Sequence, residues 1–366
     1  MLVDGKNYEG IWLDEDDPAV VKVINQQKLP FSFEISDLRC VEDAWQAIRE
    51  MVVRGAPLIG VTGAYGMYLA TLEINAYTNV PDHLSNAARY LISSRPTAVN
   101  LSLSVNYVLK KLLNNIHSKN LSRIALTAAR ETAEKEKNLC REIGIHGLKL
   151  IEDLSKEKEG EPVNILTHCN AGWLACIDYG TALAPVYFAH DRGIPVHVWV
   201  DETRPVNQGA RLTAWELGKK GVPYTLIPDN TGGYLMQKGM VDVVIVGSDR
   251  TSSTGDVVNK IGTYLKALAA HDTNIPFYAA VPSTSIDMQI TDAYSEVIIE
   301  ERPPEEVTMI KGIEDGEMHQ VRICPENTIA ANWGFDITPA RLVTGLITEK
   351  GIIRANSEDI KNLFSD

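Results

Sequence analysis

Leu166-Thr167-His168-Cys169-Asn170-Ala171-Gly172 and Ile245-Val246-Gly247-Ser248-Asp249-Arg250 decide how this chain is read. Each begins as a short apolar strand, turns polar, and leads into what reads as the start of a helix. In a parallel sheet covered by helices, ligands bind outside the carboxyl ends of the strands. Cys169 and Asp249 are therefore expected to face one crevice. A thiol and a carboxyl group in one pocket can move protons or stabilise developing charge once their pKa values are tuned. The pair points to an enzyme.

Around these two stretches the chain alternates between strand and helix. Strands are expected at Val163–Thr167, Val196–Val200, Tyr224–Ile227, Val241–Val246, Phe277–Val281 and Val297–Ile299. Helices fit between them at Ala171–Arg192, Gly209–Lys219, Gly233–Lys238 and Asn259–His271. Such alternation implies an α/β fold with a mainly parallel, doubly wound, Rossmann-like sheet. Residues 1–150 read differently: a short β segment at Glu9–Val23, then helices at Val41–Val53, Asp82–Ser93, Val99–His117 and Arg123–Ile143. Pro57 suits the first turn of a further helix. The expected organisation is a mainly helical domain over residues 1–150 and a Rossmann-like catalytic domain over 151–366. The charged run Ser155-Lys156-Glu157-Lys158-Glu159-Gly160 is expected to be an exposed connection. Gly60, Gly63 and Gly66 recur every third residue, which fits close helix packing. A dinucleotide loop would need its glycines directly after a strand.

Composition excludes several classes of function. The net charge of −13 argues against broad binding to nucleic acid or an anionic membrane. The N-terminus carries no apolar signal core, and the weakly charged run Leu58–Leu72 is too short and glycine-studded to span a bilayer. Five cysteines without a CxxC pair give neither a disulfide framework nor zinc spacing. A cytoplasmic protein without a metal is expected.

Polar clusters follow four strands: Asp201-Glu202-Thr203-Arg204, Asp229-Asn230-Thr231-Gly232-Gly233, Ser248-Asp249-Arg250 and Pro282-Ser283-Thr284-Ser285. One strand-end Asp is usually a helix cap; four clusters on one edge look like the lining of a site. For an anion, Arg54-Gly55-Ala56 lies at a helix start, where free N–H groups and the helix dipole favour negative charge. Arg95 precedes another helix, and Lys260 offers a point charge beside Asn259.

The motifs Arg54-Gly55-Ala56-Pro57, Ser94-Arg95-Pro96-Thr97, Thr167-His168-Cys169-Asn170-Ala171-Gly172, Asp201-Glu202-Thr203-Arg204-Pro205, Gln208-Gly209-Ala210-Arg211, Gly247-Ser248-Asp249-Arg250 and Gly255-Asp256-Val257-Val258-Asn259-Lys260 resemble, in this order, the S-methyl-5-thioribose-1-phosphate isomerase family. The fold of that family is shared with regulatory subunits of the translation-initiation guanine-nucleotide exchange factor. The resemblance implies a homodimeric methionine-salvage enzyme that converts a sugar 1-phosphate, methylthioribose 1-phosphate, into methylthioribulose 1-phosphate without a metal or organic cofactor. It also implies Asp249 as the catalytic acid, Cys169 as the group supporting the transition state, and Arg54, Gly55, Ala56, Arg95, Gln208, Asn259 and Lys260 as substrate binders. Relative to the family pattern, Ser248 replaces Ala, and Thr251-Ser252-Ser253-Thr254 replaces a more apolar run. Alternatives on the same fold are a 5-deoxyribose-1-phosphate isomerase, a ribose-1,5-bisphosphate isomerase and a non-catalytic regulatory subunit.

The chemistry suits these groups. Phosphate on the anomeric carbon holds the sugar ring closed, so no free aldehyde is available. An acid must protonate the ring oxygen, and hydrogen must then pass from C2 to C1. Asp249 fits the first step if burial keeps its carboxyl neutral. Cys169 fits the second, as a base in proton transfer or as a stabiliser of charge in a hydride shift.

Overall fold

The computed structural model describes residues 1–364. The chain forms two compact units. One comprises Met1–Glu142 together with Ala171–Ala184; the other comprises Ile143–Asn170 together with the chain from Pro185 on.

The first unit contains a small antiparallel sheet of strands Ile11–Leu13, Val21–Ile24 and Ile35–Leu38, followed by helices. The helix Ala56–Leu72 carries no charged residue, and every side chain from Pro57 to Thr71 is buried. A helix apolar on all sides belongs at the centre of its unit. Its glycines permit this. A Cβ on Gly60 would come within 2.9 Å of the Asn100 carbonyl oxygen, and one on Gly66 within 2.8 Å of Leu91. The close-packing reading of the glycine series therefore holds. Helices Val80–Ser93 and Val99–Leu113 pack on this central helix.

The second unit is built on a seven-stranded sheet. Across the sheet the strands run Gly351–Ile353, Gly345–Thr348, Phe277–Ala280, Val243–Val246, Val163–Thr167, Val196–Asp201 and Tyr224–Ile227. All neighbouring pairs are parallel except the one formed by Gly351–Ile353. Numbered along the chain, the parallel strands lie in the order 3-2-1-4-5-6, the doubly wound arrangement of a Rossmann fold. The middle strands are dry: Val243, Val244, Ile245 and Val246 are each 0% exposed. Burying each such side chain contributes about 1.5–3 kcal/mol. A second sheet of four short strands, Ile286–Asp287, Arg250–Ser252, Val257–Lys260 and Phe335–Thr338, belongs to the same unit.

Several expectations need correction. The stretch after Cys169 is not a long helix. Residues 171–183 form a 3-10 turn at Trp173–Ala175 and a loop, and the helix spans Ala184–Asp191. Tyr179 and Gly180 have positive φ, and a Cβ on Gly180 would meet the Gly172 backbone at 2.5 Å. Helical dihedrals are excluded there, and Pro185 suits the first turn of the later start. Asp249 is likewise followed by the antiparallel pair Arg250–Ser252 and Val257–Lys260 rather than a helix. Asn259 and Lys260 thus lie on a strand, and the helix begins at Thr263.

Val297–Ile299 forms no strand, and Ile298 is 82% exposed. The last parallel strand is Gly345–Thr348, too short and glycine-headed to stand out in the sequence. The helix from Leu121 continues through Gly144 and Gly147 to Lys156, because the bare Gly147 accepts the Pro185 ring against it. Only Glu157–Gly160 of the charged run lies in a turn.

Gly60→Ala should lower stability by about 1–3 kcal/mol, because its Cβ meets a backbone carbonyl that cannot rotate away. Gly233→Ala is the control, since its Cβ would meet only Ala269 at 3.6 Å; it should be neutral or stabilising by up to about 1 kcal/mol. Denaturant titration of both variants checks this, and equal effects would contradict the packing account.

Candidate active site

Strands Val163–Thr167 and Val243–Val246 are neighbours, paired Ile165 to Val243 and Leu166 to Val244. They are the first and fourth parallel strands, so strand order reverses between them. At such a reversal the two crossovers leave on opposite faces and open a crevice beyond the carboxyl ends. Cys169 follows one strand and Asp249 the other. The topology thus places the two residues just beyond the ends of neighbouring strands.

Cys169 is half-buried and has a φ of +66°, uncommon for a residue with a side chain. Its N–H donates to Thr203 Oγ1 at 2.8 Å, and its carbonyl accepts from Thr213 Oγ1 at 2.7 Å. Thr203 and Asn207 also have positive φ, +67° and +62°. Left-handed non-glycine residues are costly and collect at functional sites. Here three of them lie on two neighbouring strand-end segments. The next residue, Asn170, is buried and donates from Nδ2 to Glu216 Oε1 and Thr213 Oγ1, while Tyr187 donates to Glu216 Oε2 at 2.6 Å.

Asp249 is half-buried, and its N–H donates to the Val258 carbonyl at 3.0 Å. That bond ties it to the strand carrying Asn259 and Lys260. Asn259 is buried and donates from Nδ2 to Thr263 Oγ1 at 3.0 Å. The Lys260 ammonium lies 4.7 Å from the centre of the Phe335 ring. Gln208 is 5% exposed, and its Oε1 is buried without a hydrogen-bond partner. It immediately precedes the π-helical turn Gly209–Thr213, where a Cβ on Gly209 would strike the Asp201 carbonyl. Such turns recur at functional sites.

The hydroxyls of the polar run around Asp249 have partners, within the run and, for Ser253, at the Ile290 carbonyl. Ser248 and Thr251 hydroxyls lie 2.9 Å apart, as do those of Ser252 and Thr254 at 2.7 Å. Paired hydroxyls remove the cost of placing Thr251 and Ser252 in a dry position.

Arg54, Gly55, Ala56 and Arg95 belong to the first unit, and Cys169, Gln208, Asp249, Asn259 and Lys260 to the second. Arg54 is 9% exposed, and Gly55 is the N-cap of the helix Ala56–Leu72 with a φ of +93°. Ala175 of the same unit lies against Gly55, leaving no room for a side chain. Arg95 is half-buried and immediately precedes the turn into the helix Val99–Leu113.

Other titratable groups sit among the strand ends. Burial, and secondly the Asp229 carboxylate, holds the Glu202 carboxyl above its ordinary range. Burial also raises Asp336, although bonds from the Gly262 and Tyr264 N–H groups oppose the shift. Those bonds make Asp336 a cap for the helix Thr263–Asp272. Among the described residues, His168, Asp201 and Asp229 have ligand atoms within 4.8 Å of one another. The Lys266 ammonium lies 3.0 Å from Asp201 Oδ2 and so brings a positive charge to that group. A divalent ion beside it would be repelled. Sequence reasoning passed over Lys266. The available signal was a lysine among Ala267, Leu268, Ala269 and Ala270, with only the polar strand ends to receive it. Cys176 contrasts with Cys169: it is 1% exposed, and its contact raises the buried Cys140 thiol.

Residues 52–355 match the initiation factor 2 subunit family. Over its full length the chain is 54% identical to the methylthioribose-1-phosphate isomerase of Desulfatibacillum aliphaticivorans, covering 99% of that protein. The crystal structure of 5-methylthioribose 1-phosphate isomerase from Pyrococcus horikoshii is similar, with a TM-score of 0.84 and 36% identity over 98% of this chain and 96% of that one. So is that of translation initiation factor eIF-2B, subunit delta, from A. fulgidus, with a TM-score of 0.80 and 39% identity over 97% and 100%.

Proposed function

The chain belongs to the initiation factor 2 subunit family and, within it, to the methylthioribose-1-phosphate isomerases, and from that premise we propose that it converts methylthioribose 1-phosphate into methylthioribulose 1-phosphate in methionine salvage. The observation that carries this reading is the placement of Cys169 and Asp249 after the two strands flanking the reversal of strand order.

Asp249 is assigned the acid. It gives its proton to the ring oxygen as the bond from that oxygen to C1 breaks, and the electron pair of that bond goes to the oxygen. The phosphate stays on C1. A hydrogen then moves from C2 to C1, and the C2 hydroxyl proton is lost as the ketone forms. That proton returns to the Asp249 carboxylate, which closes the cycle. Cys169 is assigned to the C2-to-C1 transfer. As a thiolate it removes the C2 proton and delivers it to C1, or as a polarisable neighbour it stabilises the charge of a hydride shift. Its pinned backbone suits either task, since positioning of reacting groups within an ångström governs rate.

Arg54, the N–H groups at Gly55 and Ala56, Arg95 and Lys260 are assigned to the phosphate and sugar by charge-assisted bonds. Gln208 is assigned a sugar hydroxyl, because its buried Oε1 awaits a donor. Asn259 completes the set. A homodimer and a cytoplasmic setting belong to the same proposal. No helix among the described residues is long and apolar enough to cross a membrane.

Asp249→Asn should lower kcat at least about 100-fold, the lower end for positioned acid–base catalysis, while binding changes little. Cys169→Ser should cripple turnover and Cys176→Ser should leave it largely intact, in steady-state assays of folded protein. Native kcat in Asp249→Asn, or equal losses in the two cysteine variants, would remove the assignments.

Substrate choice follows from the C5 group. A methylthio group needs a small apolar pocket, whereas a second phosphate needs another cationic clamp. Methylthioribose 1-phosphate should therefore be preferred clearly over ribose 1,5-bisphosphate. The margin over 5-deoxyribose 1-phosphate is smaller, about 1–3 kcal/mol for one apolar group. Side-by-side kcat/KM values decide it. A bisphosphate preference overturns the salvage role, and absence of turnover on all three favours the regulatory reading that the A. fulgidus likeness brings.

A further inference from the structure

Cys169 and Thr203 both adopt the left-handed region, and Thr203 is β-branched, which makes its conformation a genuine outlier. Such backbone persists only where surrounding contacts over-determine it. Here those contacts lead to one buried cation. The Cys169 N–H donates to Thr203 Oγ1 at 2.8 Å, and the Thr203 N–H donates to Asp229 Oδ1 at 2.7 Å. The Arg204 N–H donates to Asp229 Oδ2 at 2.6 Å. The Asp229 carbonyl in turn accepts from Lys266 Nζ at 2.6 Å. Lys266 Nζ also lies 3.0 Å from Asp201 Oδ2, which lies 3.0 Å from Nδ1 of His168, the residue before Cys169. His168 Nε2 faces the Ile261 carbonyl at 2.8 Å, so both ring nitrogens meet acceptors.

The cluster is dry at its centre, with only Asp229 partly exposed. His168 and Asp201 side chains are 0% exposed and Lys266 is 4% exposed. Asp201 Oδ1 is buried without a hydrogen-bond partner, so its charge is answered on Oδ2 alone, by His168 and Lys266. In such surroundings an ammonium cannot swing into water, and its attraction to two acceptors is weakly screened. Lys266 reaches Cys169 by two routes, through Asp229 and Thr203 on one side and through Asp201 and His168 on the other.

We propose that Lys266 is a positioning residue for the reaction: its buried ammonium locks the ends of strands Val196–Asp201 and Tyr224–Ile227 and thereby holds the Cys169 turn in its left-handed form, a role whose kinetic consequence rests on the isomerase reading. Without that charge the turn relaxes and the thiol shifts. An ångström of displacement costs about 100-fold in rate. The substrate-binding groups named above are not part of this cluster, so affinity is spared.

Lys266→Met keeps the length of the side chain and deletes its charge and donors. In folded protein, kcat should fall about 100-fold with KM within about threefold, the pattern of lost alignment rather than lost binding. A second readout needs no sugar. The rate of Cys169 alkylation by iodoacetamide, read by peptide mass against Cys324 in the same sample, should change at least about tenfold, since reactivity tracks the thiol's surroundings. Native kcat together with a native alkylation rate overturns the proposal, as does a lowered melting temperature with both rates unchanged. A changed alkylation rate in a protein whose wild type turns over none of the sugars supports the positioning role and removes the isomerase reading instead. If Lys266→Met does not fold, Thr203→Val keeps the shape of the side chain and deletes the acceptor of the Cys169 N–H, together with the hydroxyl's own bond to the Asp201 carbonyl. It should reproduce both changes, and native behaviour in it overturns the proposal.

Discussion

The pairing of Val163–Thr167 with Val243–Val246 is the constraint on which the rest depends. It places the first and fourth parallel strands side by side, so that chain order reverses between them. Right-handed crossovers on either side must then leave by opposite faces, and the ends of those strands are left uncovered. The polar clusters beginning at Asp201, Asp229 and Ser248 gather at these ends. The strand Val243–Val246 is wholly apolar and Val163–Thr167 mostly so, and within a few residues of their ends the chain passes from a dry interior to charged groups. The abruptness of that change lets a thiol, carboxyl groups and a buried ammonium coexist in a small volume.

Tight backbone geometry is the second half of the design. Gly209 lets a π-helical turn approach the Asp201 carbonyl, and Cys169, Thr203 and Asn207 adopt conformations that ordinary loops avoid. Strain of this kind is sustained by buried ionic and hydroxyl contacts. The site therefore trades local stability for alignment, as an enzyme moving a hydrogen between adjacent carbons requires.

Much of this was legible in the sequence. Apolar runs such as Val163–Thr167 and Val243–Val246 match their strands because buried strands leave a nearly unbroken signature, whereas the exposed edge strand Tyr224–Ile227 is marked only by its β-favouring residues. Helix starts at Pro57 and Val99 were equally plain. The failures have physical causes. Residues 171–183 have helical composition, but glycine contacts and positive φ values exclude the helix, and neither is visible in a string of letters. The helix expected to end at Ile143 runs on to Lys156, with Gly147 packed against Pro185. Val297–Ile299 looked like a strand because its apolar side chains gave no hint of their exposure. Cys169 and Asp249 were identifiable from their place after strands. The Lys266 cluster was not, because its members lie far apart in sequence and meet only when the strand ends assemble.

The central claim is that the sugar sits beyond the ends of the two strands at the reversal, with its reacting carbons served by Cys169 and its ring oxygen by Asp249. A crystal structure of the Asp249→Asn variant with methylthioribose 1-phosphate tests it directly. The account predicts the substituted carboxamide at position 249 within hydrogen-bond reach of the ring oxygen, with Cys169 Sγ against C1 and C2. A sugar bound elsewhere, or one whose ring oxygen faces away from position 249, would contradict it.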